Sequence, residues 1–222
     1  MHLSEAVLAT SDAGRIVLGA GIVLAAAATA VGLRKLDYER MPRVAVLSSA
    51  FFVVSLIHFP IGPIEFHLVL NGLIGLVLGW AAFPALLMAL VLQAVLFGYG
   101  GILAVGINTV VMAVPAVVVY YLFHGAVQGR RNGLALAAGV AAGATGVLLG
   151  ITLSAVSVAA TGEQWREPAL VAFLAHLAVV AVEGAITGSV VMFLRKVSPE
   201  LLDALPALSV PGEIPHACAH DS

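Results

Sequence analysis

The chain has 222 residues, 61% of them apolar, with only 10 Lys/Arg and 12 Asp/Glu. A soluble domain carries about 25% charged residues; this composition, with a mean hydropathy of +1.09, excludes a water-soluble globule and a disordered chain. A net charge of −2 offers no basic face for nucleic acid, and one cysteine, Cys218, excludes a disulfide framework. What remains is an all-α, polytopic membrane protein.

A bilayer span needs about 20 apolar residues. A first span is predicted from about Ile16 to Leu33 and a second within the uncharged run Val44–Ile64. The charge-free stretch Phe66–Gly129 holds three more, the first of them the short His67–Trp80. Breaks are expected at Pro60–Pro63, Ala81–Pro84 and Gly98–Gly101. Asn132–Gly162 supplies a sixth span and about Ala169–Leu194 a seventh, giving seven transmembrane helices. Residues 1–205 then form one domain, opened by a segment 1–12 that would ordinarily be read as a frayed tail. Residues 206–222 are expected to be a flexible cytoplasmic tail, with His216, Cys218 and His220 as a second metal-type feature.

Basic residues near helix ends stay cytoplasmic. Arg34, Lys35, Arg40, Arg43, Arg130, Arg131, Arg195 and Lys196 fall on one side of a seven-helix arrangement; Arg15 and Arg166 fall on the other. The N-terminus is therefore expected outside and the C-terminus inside, in the inner (plasma) membrane. The opening lacks the basic region of a signal peptide.

Ionisable residues at membrane depth are costly and point to function. His58, His67, His176 and Glu183 fall there, with Asn71, Gln93 and Asn108 as neutral companions; His124 is expected to meet water at a helix end. His176 and Glu183, two turns apart, share a helix face and read as a brace between helices or as ligands. His67 lies on the same outer side as Met1-His2. A free α-amine, the residue-2 amide nitrogen and the His2 imidazole close two fused chelate rings on one ion, and a further imidazole completes a square. Such a nitrogen set suits Ni(II) or Cu(II) better than zinc.

Met1–Leu8, His58-Phe-Pro-Ile-Gly-Pro63, His67-Leu-Val-Leu-Asn-Gly72, Gln93–Gly101, Gly106-Ile-Asn108 and Glu183-Gly-Ala-Ile-Thr187 together resemble the CbiM/NikM family from Met1 to about Leu205. The resemblance implies a substrate-binding membrane subunit of an energy-coupling-factor transporter for nickel or cobalt. It implies metal ligation by Met1, His2 and His67; Glu5, Asn71 and Asn108 are candidates to orient those ligands. Ala6 stands where the family opening usually has Gly. No resident cofactor is expected, the ion being cargo. With no Gly-x-x-x-x-Gly-Lys-Ser/Thr loop in the chain, ATPase subunits and a transmembrane coupling subunit are the expected partners, together with a small accessory membrane subunit. An enzyme is not expected. The alternative is a self-sufficient divalent metal permease.

Overall fold

The computed structural model describes residues 3–36, 39, 41–56, 58–61 and 64–202, with backbone only for 58–61 and 64–67. Met1, His2 and the tail from residue 203 lie outside the described residues. A one-turn helix α1 (Glu5–Leu8) leads into α2 (Asp12–Arg34), whose first turn is capped by Ser11 accepting from the Gly14 N–H at 3.0 Å. Then come α3 (Met41–Ser55), an antiparallel hairpin of β1 (His58–Ile61) and β2 (Ile64–His67), and α4 (Asn71–Leu78). A 3-10 turn over Gly79–Ala81 joins α4 to α5 (Ala82–Phe97); α6 (Val105–Gln128), α7 (Asn132–Ala159) and α8 (Arg166–Val197) complete the bundle.

Five segments among the described residues are long and apolar enough to cross a membrane: α2, the α4–α5 pair taken together, α6, α7, and the segment Glu163–Val197 containing α8. The structure differs from the sequence expectation in the second and third spans. Helix α3 stops at Ser55, and His58–Ile61 pairs with Ile64–His67 as an antiparallel ribbon, so the helix expected from His67 begins only at Asn71 and runs eight residues. Pro60 fits the end of the second span: it has no N–H for a helix, and a short ribbon tolerates it. The expected break at residues 98–101 is present, with Gly98, Gly100 and Gly101 all at positive φ. His124 does not meet water. It is buried, its Nδ1 lies 2.9 Å from the Leu76 carbonyl, and its ring stacks on Tyr120.

Pairwise contacts fix the helix directions. Gly21 faces Ile107, and Leu24 and Ala28 share a groove with Val110, Val114 and Val117, so α2 runs parallel to α6. Gly75 packs on Ala116 and Gly79 on Tyr120, so α4 runs with α6 as well. Ser48 donates to the Ala85 carbonyl and Gln93 to Ser55, which makes α3 and α5 parallel. Gly139 opposes Gly188, and Gly143 opposes Glu183, so α7 and α8 are antiparallel. Helices α2, α4 and α6 thus run one way, α3 runs with α5, and α8 runs against α7.

Every residue of α4 is buried. It packs so closely that a Cβ on Gly72 would sit 2.5 Å from the Gly143 Cα. Small residues permit such backbone approach where the surrounding solvent is itself apolar and gives helices no hydrophobic reason to associate.

Candidate metal site

From Leu3 on, the N-terminal segment is part of the bundle, not a frayed tail. The Leu3 N–H donates to Asn108 Oδ1 at 2.7 Å, and Asn108 Nδ2 donates to the Leu3 carbonyl at 3.0 Å. Asn108 is 2% exposed and Leu3 5%, so α6 reads both backbone groups of residue 3 in a dry setting. Two residues on, the Glu5 N–H donates to the Gly100 carbonyl at 2.8 Å, and Glu5 Oε2 accepts from the Leu103 N–H at 2.8 Å. Gly101, at φ 85°, lies where any Cβ would collide with the Glu5 carboxyl. Leu8 is fully buried. Ala6 sits inside α1, and Leu70 has the only positive φ among described non-glycine residues, so the turn of this segment does not require glycine at position 6.

His67 is the last residue of β2, and the hairpin register sets it opposite His58. Both were expected at membrane depth, and the ribbon register sets their backbones opposite one another. Beyond His67 the chain turns inward. Leu70 takes the left-handed conformation (φ 53°, ψ 20°) while buried, a strain of about 1–2 kcal/mol for a residue with a Cβ.

Glu183 holds this strained entrance to α4. Its Oε1 accepts from the Val69 and Leu70 N–H groups, the latter at 3.0 Å, and its Oε2 lies 3.1 Å from the Leu70 nitrogen. The carboxylate is fully buried and fastens α8 to the segment following His67, satisfying backbone donors that would otherwise be orphaned. Asn71 follows at once; its side chain is fully buried, and neither amide atom has a hydrogen-bond partner.

His176 makes a different contact from Glu183, despite sharing its helix. Its Nδ1 lies 2.7 Å from the Ala172 carbonyl. Its ring lines a cavity of about 320 Å³ together with Leu3, Ser4 and Val7. The structure therefore sets Asn108 and Glu5 on the N-terminal segment, and Glu183 and Asn71 at the entrance to α4. His176 stands beside the segment that carries residue 3. Among the described residues no three His, Cys, Asp or Glu side chains converge as a metal cluster; Met1, His2 and the His67 side chain lie outside that description. Neither the Leu70 strain nor the Glu183 contact with residues 69 and 70 has a local sequence signal.

Residues 2–201 match the family described as CbiM, cobalt uptake substrate-specific transmembrane region. A putative metal transport protein of Haemophilus influenzae is 42% identical over 91% of this chain and 97% of its own length. A fused nickel transport protein, NikMN, of Rhodobacter capsulatus is 36% identical over 82% of this chain, covering 59% of that longer protein. Two crystal structures of transition metal transporters share the fold. One, a truncated form, has a TM-score of 0.68 at 25% identity, with 88% of this chain and 98% of that one covered. The other has a TM-score of 0.70 at 24% identity, with 89% and 93% covered. On these matches the chain belongs to the CbiM family of cobalt uptake substrate-specific transmembrane proteins.

Proposed function

We propose that the chain is the substrate-capture subunit of an energy-coupling-factor importer for Ni(II) or Co(II), seated in the inner membrane with its N-terminus outside. Seven crossing segments, α2 to α8, then alternate in direction, with α4 as a short inner leg. The ion is held by the Met1 amine, the backbone nitrogen and imidazole of His2, and the His67 imidazole. ATPase subunits acting through a transmembrane coupling subunit supply the energy, with a small accessory membrane subunit assisting.

The observation that carries this reading is the two-point clamp of Asn108 on Leu3. Consecutive Cα atoms are 3.8 Å apart, so His2 is one step from a residue whose backbone is fixed in the bundle. A chelate built from a main-chain amine and amide needs that backbone held in place, because ordering it would otherwise cost affinity. Glu183 supports the other half by holding the backbone that follows His67. The names of the relatives, nickel transport for one and metal transport for the other, agree with a nitrogen-rich site for a late first-row ion.

Equilibrium binding of Ni(II) and Co(II) to purified protein tests the reading. His2→Ala, His67→Ala and one residue added before Met1 are each expected to abolish tight binding. Affinity is expected to fall steadily with acid, as protons compete for the amine and imidazoles. Undiminished affinity in the extended variant rules out the amine chelate. Uptake by this chain alone in vesicles, without ATP, would favour the permease.

A further inference from the structure

The cavity beside the N-terminal segment has features that a packing defect between helices does not. Its walls are Leu3, Ser4 and Val7, the last turns of α7 from Ile151 to Val158, and the start of the α8 segment from Trp165 to His176. At one end is the α7–α8 connector, where Glu163 and Arg166 pair on the exposed surface. His176 lies eleven residues along from Trp165, about 16 Å at 1.5 Å per residue. The cavity therefore extends from the surface connector down to an imidazole, with the segment carrying residue 3 as its side wall.

Two further walls carry polar atoms in an otherwise apolar lining. Ser154 Oγ and Trp165 Nε1 have no hydrogen-bond partner. Buried polar atoms left unpaired cost about 1–3 kcal/mol each, which favours an occupant that brings oxygen atoms with it. The space is adequate: six waters at about 30 Å³ each take about 180 Å³, against about 320 Å³ available. His176 is prepared as a ligand. The Ala172 carbonyl can only accept, so Nδ1 carries the proton of that bond, and in the neutral ring Nε2 carries the lone pair. Metal-binding histidines are commonly oriented in this way, by a second-nitrogen bond to a backbone carbonyl.

We propose that this cavity is the route by which a hydrated divalent transition-metal ion reaches the N-terminal chelate, with His176 Nε2 as its transient ligand on the way. The ion exchanges one water for the imidazole and then leaves it for the chelate; no bond of the protein is made or broken except to the metal. The proposal rests on the capture reading but predicts a separate quantity. A residue on the route alone alters loading and release rates by the same factor and leaves the dissociation constant unchanged.

Stopped-flow loading of the full chain with aqueous Ni(II), paired with equilibrium Kd, tests it. His176→Ala is expected to slow loading and release together, by about tenfold or more, the scale on which loss of a supporting group at a metal site is felt. His176→Cys, which keeps a metal ligand, should recover part of that rate. Ala155→Phe, which fills the cavity from α7 and keeps His176 with its bond to Ala172, should slow both rates as well. Wild-type loading in His176→Ala and Ala155→Phe overturns the proposal. So does a His176→Ala variant whose Kd weakens through faster release, since His176 would then hold the bound ion. If His176→Ala does not fold, Ala155→Phe decides. His2→Ala reports separately on the capture reading: tight binding in that variant defeats the chelate, whereas abolished binding with normal loading in the two cavity variants defeats only the route.

Discussion

Helix α2 and the α4–α5 segment are similarly apolar, yet 28% of the most apolar stretch of the first is buried and 78% of the second. Ile16 and Val23 of α2 point away from the protein, whereas all eight residues of α4 are enclosed. Hydropathy reports only preference for an apolar medium. Whether that medium is lipid or protein depends on what faces the helix, and here the glycines of α7 face α4. Oil-facing surface on α2 needs only to be apolar; protein-facing surface on α4 must also fit.

The sharpest way to break the comparison is to add the same side chain to both regions. A Cβ on Gly75 of α4 would stand 2.2 Å from the Ala116 carbonyl oxygen and 2.9 Å from the Ala116 Cα, whereas Gly19 of α2 has nothing within 4 Å. Gly75→Val is expected to destabilise by about 3 kcal/mol or more, and Gly19→Val to stay within about 0.5 kcal/mol, read by thermal unfolding in detergent. Next is Glu183→Ala, which strands the Val69 and Leu70 N–H groups; a loss of about 2–3 kcal/mol is expected, together with weaker Ni(II) binding. Glu183→Gln should recover part of both, because its amide oxygen still accepts. Asn108→Ala removes the clamp on Leu3. An expected cost of about 1–2 kcal/mol should be accompanied by faster proteolysis near the N-terminus and reduced metal affinity. A smaller effect than that of Asn108 is expected for Lys35, whose Nζ lies 4.8 Å from the Trp80 ring centroid: substitution by Ala should cost no more than about 1 kcal/mol.

Much of the bundle was legible in the sequence because its signals are local. Asn132 begins α7 where the charge-free run begins, and Gly98 ends α5 at positive φ. The third span was misread because the charge-free stretch continues through residues 66–80 while one backbone geometry does not. Hairpin, left-handed Leu70 and short helix follow one another there, and only the partners decide it. Glu183 lies 113 residues from Leu70 in sequence, a separation no periodicity can report. The same holds for Asn108, 105 residues from Leu3. Its polarity at membrane depth marked it as significant; that it holds a main chain could not be read from spacing.

The bond from Glu183 to the start of α4 also has a consequence for biosynthesis. Eight residues of helix span about 12 Å, too little to cross about 30 Å of hydrocarbon unaided. The N–H groups before it depend on a carboxylate made more than a hundred residues later. A nascent chain that has reached α6 carries both α4 and the first residues of the chain, but not the group that secures the entrance to α4. Seating of α4 therefore waits for the last helix, and a ribosome-bound fragment ending before residue 183 is expected to leave residues 68–78 accessible to protease until α8 arrives.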